Sequence, residues 1–173
     1  RHNYLVEKPQ YALSYNDITK NPNWVSWQLN KSWLGSQPRT NLFEKDHTLP
    51  QEWQKPTEDD RYSIVHRNSD GNPYDRGHMI PSGDRTRNRK DNYATFLMSN
   101  MLLQNPRNNQ DPGQGIDPIW SNNSWWKGLE SFSRLLVQND RELYIMAGGM
   151  GTRAEILSQD GFLIDVPERL WKV

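Results

Sequence analysis

Apolar and polar residues alternate in two short segments near the start of the chain. Residues 11–15 and 24–29 each place an apolar side chain at every second position, which is the spacing of a strand with one buried face. Residues 21–23 read Asn-Pro-Asn, a sequence typical of a turn. The pattern therefore predicts an antiparallel hairpin, followed by an irregular polar stretch over 35–56.

A helical period replaces this alternation in residues 126–138. Its apolar positions fall on one face at a spacing of about 3.6 residues, and they are Leu129, Phe132, Leu135 and Leu136. This segment is the clearest predicted helix of the chain. Residues 91–98 fit either a helix start capped by Asp91 or the approach to a strand.

The remaining elements are shorter. Residues 142–147 predict a buried strand that ends at the glycine pair 148–149, and residues 62–65 predict another strand. Residues 110–125 contain several Gly and Pro residues and predict a long loop. No repeat or linker interrupts the chain, so we expect one domain over residues 1–173.

Composition narrows the protein class. The 173 residues include eight Trp, seven Tyr and four Phe, enough bulky material for a core, which excludes a disordered or low-complexity chain. No apolar run approaches the roughly 20 residues that a membrane helix needs. The absence of Cys excludes disulfides, thiolate zinc sites and a Cys nucleophile.

The charge is balanced overall but uneven locally. The chain has 21 cationic and 21 acidic residues, so bulk charge does not attract a polyanion and any such binding needs a local basic patch. Residues 75–90 supply one, because five cations accompany only two carboxylates there. The cations are Arg76, Arg85, Arg87, Arg89 and Lys90.

One histidine, His78, lies inside this cationic cluster. An imidazole can take a proton from water near neutral pH, and guanidinium groups can hold a phosphate and stabilise the charge that develops on it. The cluster therefore suits phosphodiester hydrolysis. A hydrogen-bonded structural histidine on a solvated basic face is the competing interpretation. Zinc is disfavoured, because His2, His47 and His66 form no pair with ligand spacing.

Residues 75–86, with the sequence DRGHMIPSGDRT, resemble the signature of the DNA/RNA non-specific endonucleases, the ββα-metal nucleases. Further segments resemble the family in the order in which its members carry them, namely residues 23–30, 39–50, 92–101, 104–110, 127–134 and 141–148. The two segments upstream of the signature, 23–30 and 39–50, are similar in particular to secreted cyanobacterial members. The resemblance implies an α+β fold, in which helices flank a central antiparallel sheet that carries a ββα-metal motif.

The resemblance also implies roles for individual residues. His78 matches the general base that activates water, and Asn109 matches the protein ligand of a Mg²⁺ or Mn²⁺ ion. Glu130 matches the residue that orients a metal-bound water. The remaining matches are three arginines that contact phosphate or the transition state and one supporting amide: Arg39, Arg76, Arg134 and Asn100.

Two of these assignments have alternatives. An apparent insertion at 110–125 separates Asn109 from Glu130, and counting back from Glu130 instead selects Asn122 as the metal ligand. We prefer Asn109, because the run that begins at Gln104 leads to it directly. Glu130 and Arg134 lie four residues apart on the predicted helix, so they also fit a simple surface ion pair.

The function that follows is metal-dependent hydrolysis of DNA and RNA with little sequence preference, giving 5′-phosphate products. The alternative is a non-catalytic module that binds polyanions through the basic patch. DNA and RNA are the implied substrates, a protein inhibitor is an implied partner, and the implied location is extracellular or periplasmic. The oligomeric state stays open.

The last three residues, 171–173, predict the opening of a strand. Members of the resembled family continue with further strands, so we expect a domain truncated at its C-terminus. Such a domain exposes a sheet edge and is poorly soluble, oligomeric or easily proteolysed when expressed alone.

Overall fold

The computed structural model of the chain describes residues 2–57, 71, 73–110, 125–158 and 161–173. Its largest element is an antiparallel sheet of five strands. Their spatial order is β1 (Tyr4–Lys8), β2 (Tyr11–Asn16), β3 (Asn21–Leu29), β6 (Leu143–Met150) and β9 (Arg169–Lys172).

Within the described residues, two smaller antiparallel pairs and three helices accompany this sheet. One pair joins β4 (Asp75–His78) to β5 (Met101–Gln104), and the other joins β7 (Ala154–Leu157) to β8 (Leu163–Val166). The helices are α1 (Arg89–Ala94), α2 (Pro106–Asn109) and α3 (Trp125–Gln138). Single 3₁₀ turns occupy Lys31–Trp33, Gln51–Trp53, Ser82–Asp84 and Met98–Asn100. The predicted α+β class is confirmed.

The predicted hairpin exists, but its turn was placed too late in the chain. The turn covers residues 17–20, whereas Asn21 and Pro22 already belong to β3. The oxygen of the Asn16 side chain accepts hydrogen bonds from the backbone N–H groups of Ile18 and Thr19, at 3.0 and 3.4 Å. Such a side-chain-capped turn starts the reversal before the Asn-Pro-Asn segment is reached.

Strand β6 does not end at its two glycines, contrary to prediction; it runs to Met150. The glycines serve close packing instead. A Cβ atom on Gly148 would lie 2.3 Å from the carbonyl oxygen of Asn23 and 2.7 Å from the indole of Trp171. Only a residue without a side chain fits between these neighbours.

Helix α3 matches the predicted segment, but the apolar face predicted for it is not the face that packs against the core of the protein. Leu129, Phe132 and Leu135 are 39–52% exposed. The buried positions of this helix are instead Trp126, Gly128 and Val137. The face toward the body of the protein thus includes the turn that carries Glu130 and Arg134.

Two apolar clusters hold these elements together. The larger one covers one face of the central sheet, and includes Leu13, Val25 and Trp27 together with Trp126 of α3. The smaller one packs β5 against the β7–β8 pair through residues such as Met101 and Ile164. The β4–β5 pair therefore lies between the two clusters, and both of its strands are anchored by buried neighbours.

The start of the family-like segment, residues 75–78, forms strand β4. Gly77 makes this possible, because a Cβ atom there would lie 2.1 Å from the side-chain nitrogen of Gln104 on β5. Helix α1 also differs from expectation, since Asn88 caps it by accepting from the backbone N–H of Asp91 at 2.9 Å. The strand predicted for 62–65 lies outside the described residues.

No helix in the described part of the chain is both long and apolar enough to span a bilayer.

Candidate active site

His78 is the last residue of β4, and the loop that follows it is held by Asn100. The Asn100 side chain is fully buried; its oxygen accepts from the backbone N–H of Ile80 at 3.0 Å. Its nitrogen donates to the carbonyls of Ile80 and Thr95, at 3.1 and 2.8 Å. Because these bonds use both amide hydrogens, Asn100 holds the backbone beyond His78 and is not free to bind a ligand through its nitrogen.

Aromatic rings enclose the His78 imidazole. The ring centroid lies 4.7 Å from that of Phe96 and 5.9 Å from that of Phe43, both in edge-on contacts. The residue is 7% exposed, and its Nε2 atom has no hydrogen-bond partner among the described residues. Burial, with the positive charges of Arg39 and Arg76, lowers the pKa of His78 well below 6.5. The imidazole is therefore neutral at pH 7 and able to accept a proton.

Arg39 and Arg76 flank the histidine on the same two aromatic rings. The Arg39 guanidinium lies 4.7 Å from the centroid of Phe96 and donates to the Ser82 hydroxyl at 2.8 Å. The Arg76 guanidinium lies 3.4 Å from the centroid of Phe43. The rings hold the two cations by cation–π attraction while they limit contact of the imidazole with water.

The sequence predicts one basic patch over residues 75–90, but in the structure the five cations of this segment do not form a single patch. Arg85 is 1% exposed, and its guanidinium donates to backbone carbonyls of Gln10 and Gln28. Arg87 pairs with Asp91 at 2.8 Å. These two arginines support the fold. Of the five cations in that segment, Arg76 is the one that lies beside His78.

Asn109 is the last residue of α2, and its amide is oriented by Asp75. The Asn109 nitrogen donates to a carboxylate oxygen of Asp75 at 2.9 Å, and the Gln110 side chain donates to the same oxygen at 2.7 Å. The register of β4 against β5 pairs Asp75 with Gln104, two residues before α2 begins. With its nitrogen engaged, the Asn109 amide has its oxygen left for a ligand.

Glu130 and Arg134 do not form the surface ion pair considered as an alternative. Arg134 donates to the buried carboxylate of Asp84 at 2.9 Å, and the indole of Trp27 donates to the other Asp84 oxygen at 3.0 Å. Glu130 lies 3.8 Å from the ammonium of Lys172. Burial raises the pKa of Glu130 to about 7, although Lys172 favours the charged form.

These side chains meet in one cleft of about 390 Å³. Five of the residues singled out from the sequence line it, namely Arg39, His78, Asn109, Glu130 and Arg134. Arg76 lines a neighbouring cleft of about 350 Å³, which shares Arg39 and Asn109 with the first. Asn100 lies beneath the loop that follows His78, and Asn122 lies outside the described residues. The cleft therefore joins a neutral imidazole, a carboxylate, an amide and arginines.

The donor set of the cleft fits a hard divalent cation. The described residues hold no cluster of three or more His, Cys, Asp or Glu side chains of the kind that cages a metal ion. Asn109 offers an amide oxygen, and Glu130 offers carboxylate oxygens in the same cleft. Mg²⁺ prefers oxygen ligands and keeps several waters, so it needs few protein ligands.

Comparison with known proteins decides the family. The family model described as DNA/RNA non-specific endonuclease matches residues 1–173. The chain belongs to this family. This membership agrees with the resemblance carried by residues 75–86. In the structure, His78 of that segment lines the cleft.

Individual members of the family resemble the chain to different degrees. A nuclease of Nostoc sp. is 43% identical over 99% of this chain, and a nuclease of Syncephalastrum racemosum is 30% identical over 83% of it. The human mitochondrial nuclease EXOG is 26% identical over 94% of the chain. The matched regions make up 54%, 40% and 41% of these relatives, so the chain spans about half of their length or less.

A solved structure shares the fold of the chain. The structure of the EndoG/EndoGI complex matches with a TM-score of 0.68 and 23% identity, over 99% of this chain and 66% of that one. The likeness agrees with the α+β, ββα-metal fold that the resemblance implies for this family.

Sequence reasoning missed several residues that shape the cleft. Asp84 lies within residues 75–86, the segment that resembles the family signature. It was not assigned a role, although it anchors Arg134. Phe43 and Phe96, which enclose His78, give no signal beyond being aromatic. Lys172 was also missed, because a lone lysine in a short strand is indistinguishable from a solvated one until its neighbours are known.

Proposed function

We propose that the chain, as one nuclease domain over residues 1–173, hydrolyses phosphodiester bonds of DNA and RNA with little sequence preference and leaves 5′-phosphates. The observation that supports this proposal is the shared cleft of His78, Asn109, Glu130, Arg39 and Arg134. An imidazole kept neutral beside arginines suits attack of water on a phosphate.

His78 is the general base of the proposed reaction. Its low pKa keeps the ring neutral, and Nε2 has no hydrogen-bond partner among the described residues, so the ring has an unoccupied nitrogen. This nitrogen takes a proton from the attacking water as the bond from water oxygen to phosphorus forms. The bond from phosphorus to the 3′-oxygen breaks, the leaving 3′-oxygen takes a proton from solvent water to become a hydroxyl, and the phosphate stays on the 5′-oxygen.

The arginines bind the scissile phosphate. Arg39 and Arg134 line the cleft, and each is held by a side-chain acceptor, Ser82 for Arg39 and Asp84 for Arg134. Guanidinium groups fixed in this way stabilise the negative charge that develops on the phosphate oxygens. Arg76 lies in the neighbouring cleft and contacts an adjacent part of the nucleic-acid chain. Contacts to phosphate carry no base information, which explains a lack of sequence preference.

Asn109 would hold a divalent cation, Mg²⁺ or Mn²⁺, through its amide oxygen. When bound, such an ion supplies positive charge for the phosphate and the leaving oxygen. Asp75 supports this role by fixing the amide through its nitrogen. Glu130 orients a water molecule of the site through its carboxylate.

A cleavage assay tests the proposal. Supercoiled plasmid and a long RNA are incubated with the protein in Mg²⁺, in Mn²⁺ and in EDTA. We expect both substrates to be degraded with metal and to survive in EDTA. The substitution His78→Ala should slow cleavage by roughly 10²–10⁴, the typical contribution of a positioned base, whereas Lys31→Ala, at a surface ion pair, should leave the rate unchanged.

The same assay separates the enzyme from the alternative of a non-catalytic binding module. A binding module retards plasmid on a gel in metal and in EDTA without cutting it. Intact plasmid after long incubation with Mg²⁺ or Mn²⁺ would overturn the proposed activity. Near-normal cleavage by the His78→Ala variant would remove His78 from the mechanism.

The relatives support a proposal for location and for a protein partner. We propose an extracellular or periplasmic location, supported by the similarity to secreted cyanobacterial members and by the higher identity to the Nostoc nuclease, 43%, than to mitochondrial EXOG, 26%. A protein inhibitor is the proposed partner, because the matched EndoG structure is a complex that explains EndoG inhibition. Fractionation of the source cells tests the location.

A further inference from the structure

Lys172 places a buried cation directly behind Glu130. Its side chain is 5% exposed, and its Nζ atom has no hydrogen-bond partner among the described residues. The nearest carboxylate oxygen belongs to Glu130, at 3.8 Å. The ammonium also lies 4.0 Å from the ring centroid of Trp126 and 5.7 Å from that of Trp27. It is thus enclosed by two indoles and one carboxylate.

This arrangement requires an explanation, because a buried ammonium is costly unless it is compensated. Two other cations act on Glu130 but are engaged elsewhere. Arg134 is bonded to Asp84, and Arg39 is bonded to Ser82. Lys172 forms its ion pair with Glu130, and its charge also acts on the buried carboxylate of Asp84.

Lys172 acts from outside the catalytic cleft. Glu130 is part of the cleft lining, whereas Lys172 lines a different cavity of about 450 Å³ together with Trp126. Glu130 therefore lies between the cleft and the ammonium. Lys172 is not among the described residues that line the cleft with His78, but it contacts the carboxylate of one that does.

The sheet fixes where the ammonium lies. Strand β9 pairs with β6 so that Lys172 is opposite Ala147 and Trp171 is opposite Gly148. The Trp171 indole fills the space above Gly148, where no Cβ atom fits. This register fixes the backbone position of Lys172, so its ammonium lies beneath α3, beside Glu130.

We infer that Lys172 is a positioning residue that holds the Glu130 carboxylate toward the catalytic cleft. The inference rests on the proposed function and extends it to a strand that contributes nothing else to the cleft. Cation–π contact with Trp126 strengthens the arrangement, since this indole also donates to the His78 carbonyl at 3.4 Å. Loss of the ammonium removes the nearest cation of a buried carboxylate, which is then no longer held in one position.

A double-mutant cycle tests the inference. The variants are Lys172→Met, Glu130→Gln and the combination, with Lys31→Met as a control at an exposed ion pair. We expect Lys172→Met to lower kcat roughly 10–100-fold, the typical cost of losing a partner that orients a functional ligand, with little change in KM. In the Glu130→Gln background the same substitution should change kcat by less than about twofold, because there is no carboxylate left to position.

Thermal unfolding of the same set provides a readout independent of activity. Each single substitution leaves one buried partner alone, so each should lower the melting temperature, whereas the double variant should lose less than the two single losses together. If Lys172→Met does not fold, Lys172→Gln and the double variant carry the same comparison.

The outcomes separate the inference from the proposed function. A wild-type protein that cuts no nucleic acid overturns the proposed function. A wild-type protein that cuts, combined with a Lys172→Met effect of equal size with and without Glu130, overturns the inference, because a merely structural lysine acts in both backgrounds. Unchanged kcat in a folded Lys172→Met variant also overturns it.

Discussion

Acidification should destabilise the protein through His78, by an amount that can be calculated. The ring is buried against Phe43 and Phe96 and faces two arginines, so its folded-state pKa lies well below 6.5. In the unfolded chain the imidazole titrates near 6.5. Between these two values the unfolded state binds one proton more than the folded state, so stability falls as pH decreases through 6.5. At pH 5.5 the loss relative to pH 7.5 is at most about 1.4 kcal/mol from this residue alone, the limit reached when the folded state binds no proton.

Urea unfolding of the wild-type protein and a His78→Asn variant, at pH 7.5 and pH 5.5, measures this contribution. The other titrating groups are common to both proteins, so their effects cancel in the comparison. We expect the wild type to lose more stability than the variant on going to pH 5.5, by up to about 1.4 kcal/mol. Equal losses in the two proteins would refute a histidine that is buried in its neutral form, and with it our reason for assigning the base.

Two further predictions concern the metal ligand and the anchor of Arg134. The substitution Asn109→Ala should raise the Mg²⁺ concentration needed for half-maximal cleavage or abolish cleavage, while Asn122→Ala should do little; the reverse pattern would assign the ligand to Asn122. The substitution Asp84→Asn removes the charged acceptor of Arg134 and should lower the free energy of unfolding by about 3 kcal/mol, whereas a loss below about 1 kcal/mol in urea unfolding would show that this buried pair stabilises little.

The helical period predicted α3 almost to the residue but not its orientation. Periodicity reports which side chains share a face, and here the apolar face is the one left 39–52% exposed at Leu129, Phe132 and Leu135. The helix instead buries Trp126 and Val137 in the core and turns Glu130 and Arg134 toward Lys172 and Asp84. Both partners are distant in sequence, so no local window contains the information.

The cations of residues 75–90 show the same limit for the candidate site. Charge counting treats Arg76 and Arg85 alike, yet one lies on a ring at the cleft and the other is buried against backbone carbonyls. The resemblance to the family signature singled out His78 and Asn109, which share the cleft. A family signature reflects which residues meet in the folded protein, and residue spacing alone does not show this. Turn chemistry was also underestimated, since the Asn16 side chain begins the hairpin turn before Asn21.

The position of β9 in the chain has a consequence for biosynthesis. A ribosome releases α3, with Glu130, well before it releases Lys172, and β9 can join the sheet only when β6 is already available to pair with it. Contacts between distant segments form late, because closing a long loop is entropically costly. Under our inference, a nascent chain can have His78 and Asn109 in place while its Glu130 is still without a counter-charge. The catalytic activity of the protein would then appear only after β9 has paired with β6, rather than as soon as α3 has formed.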